Sequence, residues 1–187
     1  MATVREGNKT VLFVVDVQVG VMREAWDAPR IIGNIRRAVE KARDQNVPVI
    51  WIQHTDKELV DGSPAWQLVP ELVPAPGEVQ IKKAYNSSFE ETSLEETLAN
   101  LSATHILLAG ASSNWCIRAT AYGALERGYD LTLLEDAHAT HTMTFRDGAR
   151  IEAETIIREL NNAMKWLEYP GRSNAAAPVD EVDFTRQ

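Results

Sequence analysis

Residues 104–136 read THILLAGASSNWCIRATAYGALERGYDLTLLED, with two apolar runs on either side of a helix-like stretch. The runs ILLAG and LTLL are short and apolar, as buried strands are. The stretch between them has helical character, and Gly128 provides a C-terminal stop. Strand, helix and strand in this order predict a βαβ unit, in which the two strands run parallel.

The same alternation continues along the chain. Further strands are predicted at 11–17, 47–53 and 78–83, and helices at 31–46, 92–103 and 148–162. The stretch AMKWLEY, residues 163–169, is the candidate sixth strand. We therefore expect an α/β protein with three layers (αβα), in which helices cover both faces of a mostly parallel, Rossmann-like sheet of about six strands.

A chain of 187 residues favours one domain, which we expect to comprise residues 1–170. Residues 171–187 are weakly patterned and are expected to form a C-terminal arm or tail. Residues 54–77 are rich in Gly and Pro and predict a long loop, and such loops are often functional.

Composition excludes several classes of partner. A net charge of -8 argues against a nucleic-acid surface, which needs clustered Lys and Arg. No apolar run approaches the ~18 residues of a membrane span, and the first residues lack the apolar segment of a signal peptide. With a single cysteine no intrachain disulfide is possible, which favours a reducing, cytoplasmic location.

Three reactive side chains fall at the carboxyl ends of predicted strands. Asp16 closes the first strand, Lys83 follows the third, and Cys116 opens the helix after the fourth. Because ligands of open parallel sheets bind outside these strand ends, we expect the three side chains to converge there.

An acid, an amine and a thiol together suit nucleophilic catalysis. A helix N-terminus and the Lys83 ammonium are expected to favour the thiolate of Cys116, and Asp16 can accept the thiol proton. Each residue also has a purely structural interpretation: Cys116 as a core residue, Asp16 as a turn cap and Lys83 as a solvated surface lysine.

The segments VLFVVDVQ, IKKAYNSSFEET and GASSNWCIRATAYGALERGYDLTLLEDAHAT resemble the three sequence blocks of the isochorismatase-like cysteine hydrolase family. The resemblance covers residues 10–167. It implies that Asp16 is the general base, Lys83 the triad lysine and Cys116 the nucleophile. Lys83 is preferred to Lys82 because it stands six residues before Phe89, as in the family pattern.

The resemblance also implies a non-proline cis peptide at Ala111–Ser112, which would set the Ser112 N–H beside the Cys116 N–H as an oxyanion hole. Members with a cysteine usually cleave C–N bonds of amides, lactams or carbamoyl groups in small molecules, without a cofactor. Short streptothricin-hydrolase-like members, which open a cyclic amide, are the most similar. The family habit favours a homodimer or larger homo-oligomer.

Two other functions stay open on the same fold. One is an isochorismatase-type hydrolase of another small substrate, although the vinyl-ether-cleaving members typically lack the cysteine. The other is a catalytically silent oligomeric binding protein. A serine hydrolase using Ser112 or Ser113 is disfavoured because the pattern G-x-S-x-G is absent.

Histidines give little indication of a metal. Family nicotinamidases carry D-x-H after the second strand, whereas here the order is reversed in QHTD, which contains His54. His138 and His141 could face one way on a helix, but zinc needs three or four ligands. His105 at a strand start is expected to be structural. We predict no metal.

Aromatic residues surround the expected mouth of the site. Trp26, Trp66, Tyr85 and Trp115 either line a substrate pocket or pack against another subunit. Gln18 is expected to orient a loop near the site and to contact substrate. Trp51 and Trp166 are expected in the core.

Overall fold

A computed structural model describes residues 2–185 of the chain. Its main sheet has six strands, all of them paired in parallel. They are β1 (Lys9–Val15), β2 (Val49–His54), β3 (Val79–Lys83), β4 (Ala103–Ala111), β5 (Asp130–Ala139) and β8 (Asn174–Ala177). Their order in the sheet is β3-β2-β1-β4-β5-β8. The predicted fold class is confirmed.

Five α-helices accompany these strands in the part of the chain that the structure describes. They are α1 (Val19–Met22), α2 (Ala28–Asp44), α3 (Leu94–Asn100), α4 (Arg118–Glu126) and α5 (Ala153–Trp166). A π-helical turn at Ser113–Ile117 precedes α4, and a 3-10 turn covers Val179–Glu181. The short strands β6 (Met143–Thr144) and β7 (Arg150–Ile151) pair antiparallel in a separate hairpin.

The sheet separates two apolar cores, because successive side chains of a strand point to opposite faces. Leu12 and Val14 of β1 pack on the side of α2, whereas Phe13 and Val15 pack on the side of α3, α4 and α5. Helices therefore cover both faces, as expected for strands that read as continuous apolar runs.

Three predictions at the C-terminal end are wrong. Residues 163–166 of AMKWLEY belong to α5 rather than to a strand, and Trp166 is 81% exposed rather than in the core. The sixth strand is β8, which lies within the segment predicted as an arm or tail. Phe184 of the same segment is fully buried against the α2 side. Residues 174–184 of this segment contribute to the sheet and its core.

A glycine allows the ends of β1 and β4 to approach closely. Gly110 pairs with Val15 and has a φ of 129°, and a Cβ on Gly110 would lie 1.9 Å from the Val15 carbonyl oxygen. Any side chain at this position would push the two strands apart. Gly110 therefore holds the end of β1, which precedes Asp16, against the end of β4.

The long loop predicted at 54–77 is observed between β2 and β3. An antiparallel bridge between Gln18 and Leu68 ties it to the end of β1. Among residues 2–185, no helix combines the length and the apolar character that a membrane crossing requires.

Candidate active site

Three chain segments meet at the carboxyl edge of the sheet. Asp16 follows β1 with a φ of 53° and donates its N–H to the Ile52 carbonyl of β2. Lys83 is the last residue of β3, and Cys116 lies in the π-helical turn after β4. The three side chains predicted to converge do so, and all three residues are buried.

The Lys83 ammonium lies at the centre of this cluster. Its Nζ is 2.7 Å from Asp16 Oδ2 and 3.1 Å from Cys116 Sγ. It is also 3.1 Å from the Tyr85 carbonyl oxygen and 3.2 Å from His54 Nδ1. An ammonium has three protons to donate, so four neighbours share three hydrogen bonds.

Asp16 has the properties of a base for the thiol. Burial raises the pKa of its carboxyl, while the charge of Lys83 acts in the opposite direction. Its Oδ1 is buried and lacks a hydrogen-bond partner among the described residues. A carboxylate oxygen of Asp16 and Cys116 Sγ lie within 4.8 Å of each other. An unpaired carboxylate oxygen beside a thiol is a ready proton acceptor.

The resting state of the thiol differs from the expectation. Burial, followed by the negative charge of Asp16, raises the pKa of Cys116 to about 12, and Lys83 only partly offsets this. The predicted stabilisation of a resting thiolate is therefore wrong.

The peptide bond between Ala111 and Ser112 is cis. The Ser112 carbonyl accepts hydrogen bonds from the N–H groups of Trp115 and Ile117. Neither of these bonds uses the N–H of Cys116. The assignment of the Ser112 and Cys116 N–H groups to an oxyanion hole stays a prediction.

Two neighbours of the cluster were missed as site residues. His54 ends β2 and contacts Lys83 through Nδ1, and Asn86 Oδ1 lies 3.8 Å from Cys116 Sγ. The position of His54 at a strand end, the same signal that selected Asp16 and Lys83, could have identified it. Asn86 lies in an irregular segment after β3 and no pattern pointed to it.

Asp16, His54 and Cys116 offer one ligand atom each within 4.8 Å, a set that could hold a metal ion. The Lys83 Nζ, however, is within 3.2 Å of an atom of each of the three. An ammonium between these groups already supplies the positive charge that a metal would bring, and it would repel a second cation.

Gln18 is fully buried and acts as a tether. Its Nε2 donates to the carbonyls of His54 and Trp66, and its Oε1 accepts from the His54 N–H. Both polar atoms of the carboxamide are thereby engaged with backbone groups. This geometry holds the long loop against β2, and a contact between Gln18 and substrate stays a prediction.

The predicted aromatic residues have different surroundings. Trp66 is buried and donates to Thr55 Oγ1. Tyr85 and Trp115 are 41% and 50% exposed and flank the cluster in sequence. Trp26 lines a cavity of about 350 Å³ together with His138 and Asn161, and none of Asp16, Lys83 and Cys116 lines that cavity. Substrate binding by these four aromatics stays a prediction.

The remaining histidines are arranged differently from the expectation. His138 lies in β5 rather than in a helix, and its ring bonds Ser113 Oγ and Asn161 Oδ1 at 2.8 Å each. Burial lowers the pKa of His138 to about 4. His141 lies beyond the strand and is exposed. His105 is buried in β4 beside Thr132 Oγ1, 2.9 Å away, consistent with a structural role.

The fold and the site together define a three-layer α/β protein with a buried Asp–Lys–Cys cluster at the carboxyl edge of its sheet. The chain belongs to the isochorismatase family: residues 10–159 match the isochorismatase domain. The resemblance described from the sequence is thereby confirmed.

Among curated proteins, the chain is similar to the streptothricin hydrolase of Streptomyces noursei, with 32% identity over 144 residues, which cover 73% of this chain and 57% of that protein. It is also similar to the maleamate amidohydrolase of Pseudomonas putida (31% identity, 64% of this chain and 56% of that protein). The chain thus spans a little over half the length of these two relatives.

Among solved structures, an isochorismatase from Pseudomonas putida KT2440 superposes with a TM-score of 0.84. The two chains are 27% identical, and the match covers 96% of this chain and 94% of the other. The fold is therefore shared over nearly the whole chain.

Proposed function

We propose that the protein is a cysteine-dependent hydrolase that cleaves a C–N bond (amide, lactam or carbamoyl) of a small molecule. The observation that carries this proposal is the contact of Lys83 Nζ with both Asp16 Oδ2 and Cys116 Sγ. The name of the maleamate amidohydrolase supports the bond type, and that of the streptothricin hydrolase supports hydrolysis of a small molecule.

The reaction begins with a proton transfer. Cys116 gives its thiol proton to Asp16, whose pKa is raised by burial and whose Oδ1 is unpaired. The sulfur then attacks the substrate carbonyl carbon, and the Lys83 ammonium stabilises the negative charge that the proton transfer leaves near it. The N–H groups of Ser112 and Cys116 are the proposed donors to the oxyanion.

The intermediate then collapses and is hydrolysed. Asp16 passes its proton to the leaving nitrogen as the C–N bond breaks, which leaves the acyl group on sulfur as a thioester. Water attacks this thioester, Asp16 takes one of its protons, and the sulfur departs and regains a proton from Asp16. One amide and one water become one acid and one amine, and the residues return to their initial state.

The long loop and the aromatics beside the cluster would bind the substrate. Tyr85 and Trp115 are half-exposed next to Lys83 and Cys116, and Asn86 can hydrogen-bond a polar substrate group beside the sulfur. The cluster needs no cofactor for these steps. A homodimer or larger homo-oligomer remains part of the proposal.

A panel of small amides, ureas and lactams, followed by ammonia release and by mass shift, tests this function. We expect turnover of at least one member, and a fall of about 1,000-fold or more for Cys116→Ser and for Asp16→Asn. Lys83→Met is the third variant whose turnover is measured. Its matched control is Lys82→Met, because Lys82 lies next in sequence but is exposed. Full turnover by Cys116→Ser would end the proposal. Absence of turnover across the panel would favour the silent binding protein.

A further inference from the structure

Lys83 has one more acceptor than it has protons. Asp16 Oδ2, the Tyr85 carbonyl, His54 Nδ1 and Cys116 Sγ all lie within 3.2 Å of its Nζ. A protonated thiol is a weaker acceptor than a carboxylate, a carbonyl or an imidazole nitrogen. In the resting state the three protons therefore go to Asp16, Tyr85 and His54.

The His54 ring accepts from Lys83 only in one tautomer. Its Nε2 lies 3.4 Å from Asp56 Oδ2, and a proton on Nε2 that points to this carboxylate leaves Nδ1 free to accept. Asp56 is itself held, because its Oδ1 accepts the N–H groups of Glu58 and Leu59 at 2.7 Å each. The loop thus presents a fixed carboxylate to the ring.

The backbone of His54 is fixed separately from its ring. Its N–H and its carbonyl both bond the buried Gln18 carboxamide. Substitution of the His54 side chain leaves these two hydrogen bonds in place. The effect of the ring on Lys83 can therefore be examined without releasing the end of β2.

We propose that His54 is a positioning residue that turns one Lys83 proton away from Cys116 in the resting state, and that Asp56 sets the His54 tautomer that accepts this hydrogen bond. This inference rests on the proposed function, since it assigns His54 to the control of Cys116 reactivity. When the thiol proton moves to Asp16, the neutral carboxyl competes less for the Lys83 protons, and one of them turns to the sulfur. Until then, His54 holds the third Lys83 proton and the sulfur receives none.

The test compares two substitutions of similar size at position 54 in the full-length protein. His54→Asn keeps an acceptor oxygen near the position of Nδ1, whereas His54→Leu has none. The measured quantity is the rate of Cys116 alkylation by iodoacetamide at pH 9, followed by intact mass, which needs no substrate. We expect His54→Leu to react about tenfold faster than the native protein, because a Lys83 proton is then free to bond the sulfur, and His54→Asn to stay within about threefold.

Asp56→Asn provides a second, independent variant. Its carboxamide oxygen can still accept from Glu58 and Leu59, but its NH₂ cannot accept the Nε2 proton of His54, so the required tautomer is no longer enforced. We expect alkylation to become faster by about threefold or more, because the Lys83 proton is then less firmly held by His54. Circular dichroism melting of each variant shows whether it is folded. If His54→Leu does not fold, the alkylation rate of Asp56→Asn tests the inference.

Equal rates for His54→Leu and His54→Asn, or a native rate for Asp56→Asn, would overturn the inference. These outcomes are separate from a failure of the proposed function, which is judged by amide turnover of Cys116→Ser and Asp16→Asn. Once a turned-over amide is known, an unchanged KM in His54→Leu is also expected, because His54 acts on Lys83 and not on the substrate.

Discussion

The ammonium nitrogen of Lys83 lies 3.1 Å from the sulfur of Cys116, although the residues are 33 positions apart in the chain. The contact forms because β3 and the turn after β4 end at the same edge of a parallel sheet. Burial nevertheless raises the pKa of the thiol to about 12, so the sulfur keeps its proton at neutral pH. Attack therefore requires Asp16 to remove the proton within the closed site.

The first prediction concerns the reactivity of Cys116. Because its pKa is raised, the thiolate forms only as the pH rises, and alkylation by iodoacetamide at pH 7.5 should be at least about tenfold slower than that of free cysteine. The rate should still increase above pH 9. Intact mass measures the rate, and the same chain unfolded in urea is the control. A rate that levels off below pH 8 would contradict the raised pKa.

A second prediction concerns the buried ion pair. The Lys83 and Asp16 side chains are 0% and 2% exposed, so removal of one partner leaves a buried group without its counter-charge. Lys83→Met should lower the free energy of unfolding by about 3–5 kcal/mol. The double variant Lys83→Met/Asp16→Asn should lose less than Lys83→Met alone.

Urea unfolding measures both losses, and Lys82→Met is the matched control. Lys82 is largely exposed, and its pair with Asp61 is expected to contribute less than about 1 kcal/mol. If Lys82→Met and Lys83→Met lost the same stability, the buried pair would have no special role.

The third prediction is a loss of stability in acid that originates at His138. Burial lowers the pKa of His138 from 6.5 to about 4 in the folded state. Between these two pH values the imidazole is protonated in the unfolded chain but neutral in the folded chain. The contribution is fully present above pH 6.5 and is lost as the pH falls towards 4. Between pH 7 and pH 5 the loss is on the order of 2 kcal/mol.

His138→Gln isolates this contribution when unfolding is measured at both pH values. The raised pKa of Asp16 has the opposite sign, because the folded state then binds its proton more readily, but it is common to both proteins and cancels in the difference. Asp136 and Glu135, which favour the charged ring, are likewise unchanged. The same pH slope in native protein and variant would refute this origin.

The fourth prediction concerns the close approach of β1 and β4. Gly110→Ala would place a Cβ 1.9 Å from the Val15 carbonyl oxygen at a φ of 129°, so we expect a loss above about 4 kcal/mol or no soluble protein. Gly33→Ala in α2, where a Cβ meets nothing within 4 Å, is the control and should stabilise by up to about 1 kcal/mol. Thermal melting compares the two variants. Similar melting temperatures for Gly110→Ala and Gly33→Ala would contradict the prediction.

The prediction of the fold succeeded where local patterns are strong. Continuous apolar runs at β1, β2 and β4 are typical of buried strands of a parallel sheet, and the charged stripe of α2 identifies a surface helix. The prediction failed at the C-terminal end. AMKW continues the helical spacing of α5, and the alanine-rich β8 has little apolar character of its own. It forms a strand because it pairs with the open edge of β5.

The candidate site was partly predictable, because the positions of its main residues follow from the predicted strands. Strand ends and one family resemblance selected Asp16, Lys83 and Cys116. His54 was considered as a metal ligand and not as a neighbour of Lys83, and its contact with Lys83 depends on the pairing of β2 with β3. The state of the thiol was misjudged because charge neighbours can be guessed from the sequence, whereas depth below the surface cannot.

The sequence by itself determined the order of the first five strands of the main sheet and of helices α2 to α5, the choice of a parallel sheet and the three residues at its carboxyl edge. These follow from side-chain polarity at short spacing along the chain. Tertiary structure alone decided that a C-terminal strand completes the sheet, that Lys83 has four acceptors for three protons, and that the thiol rests protonated. Such features depend on how segments that are distant in sequence approach and bury one another. The physical reason is that desolvation and hydrogen-bond competition arise only once the chain has packed.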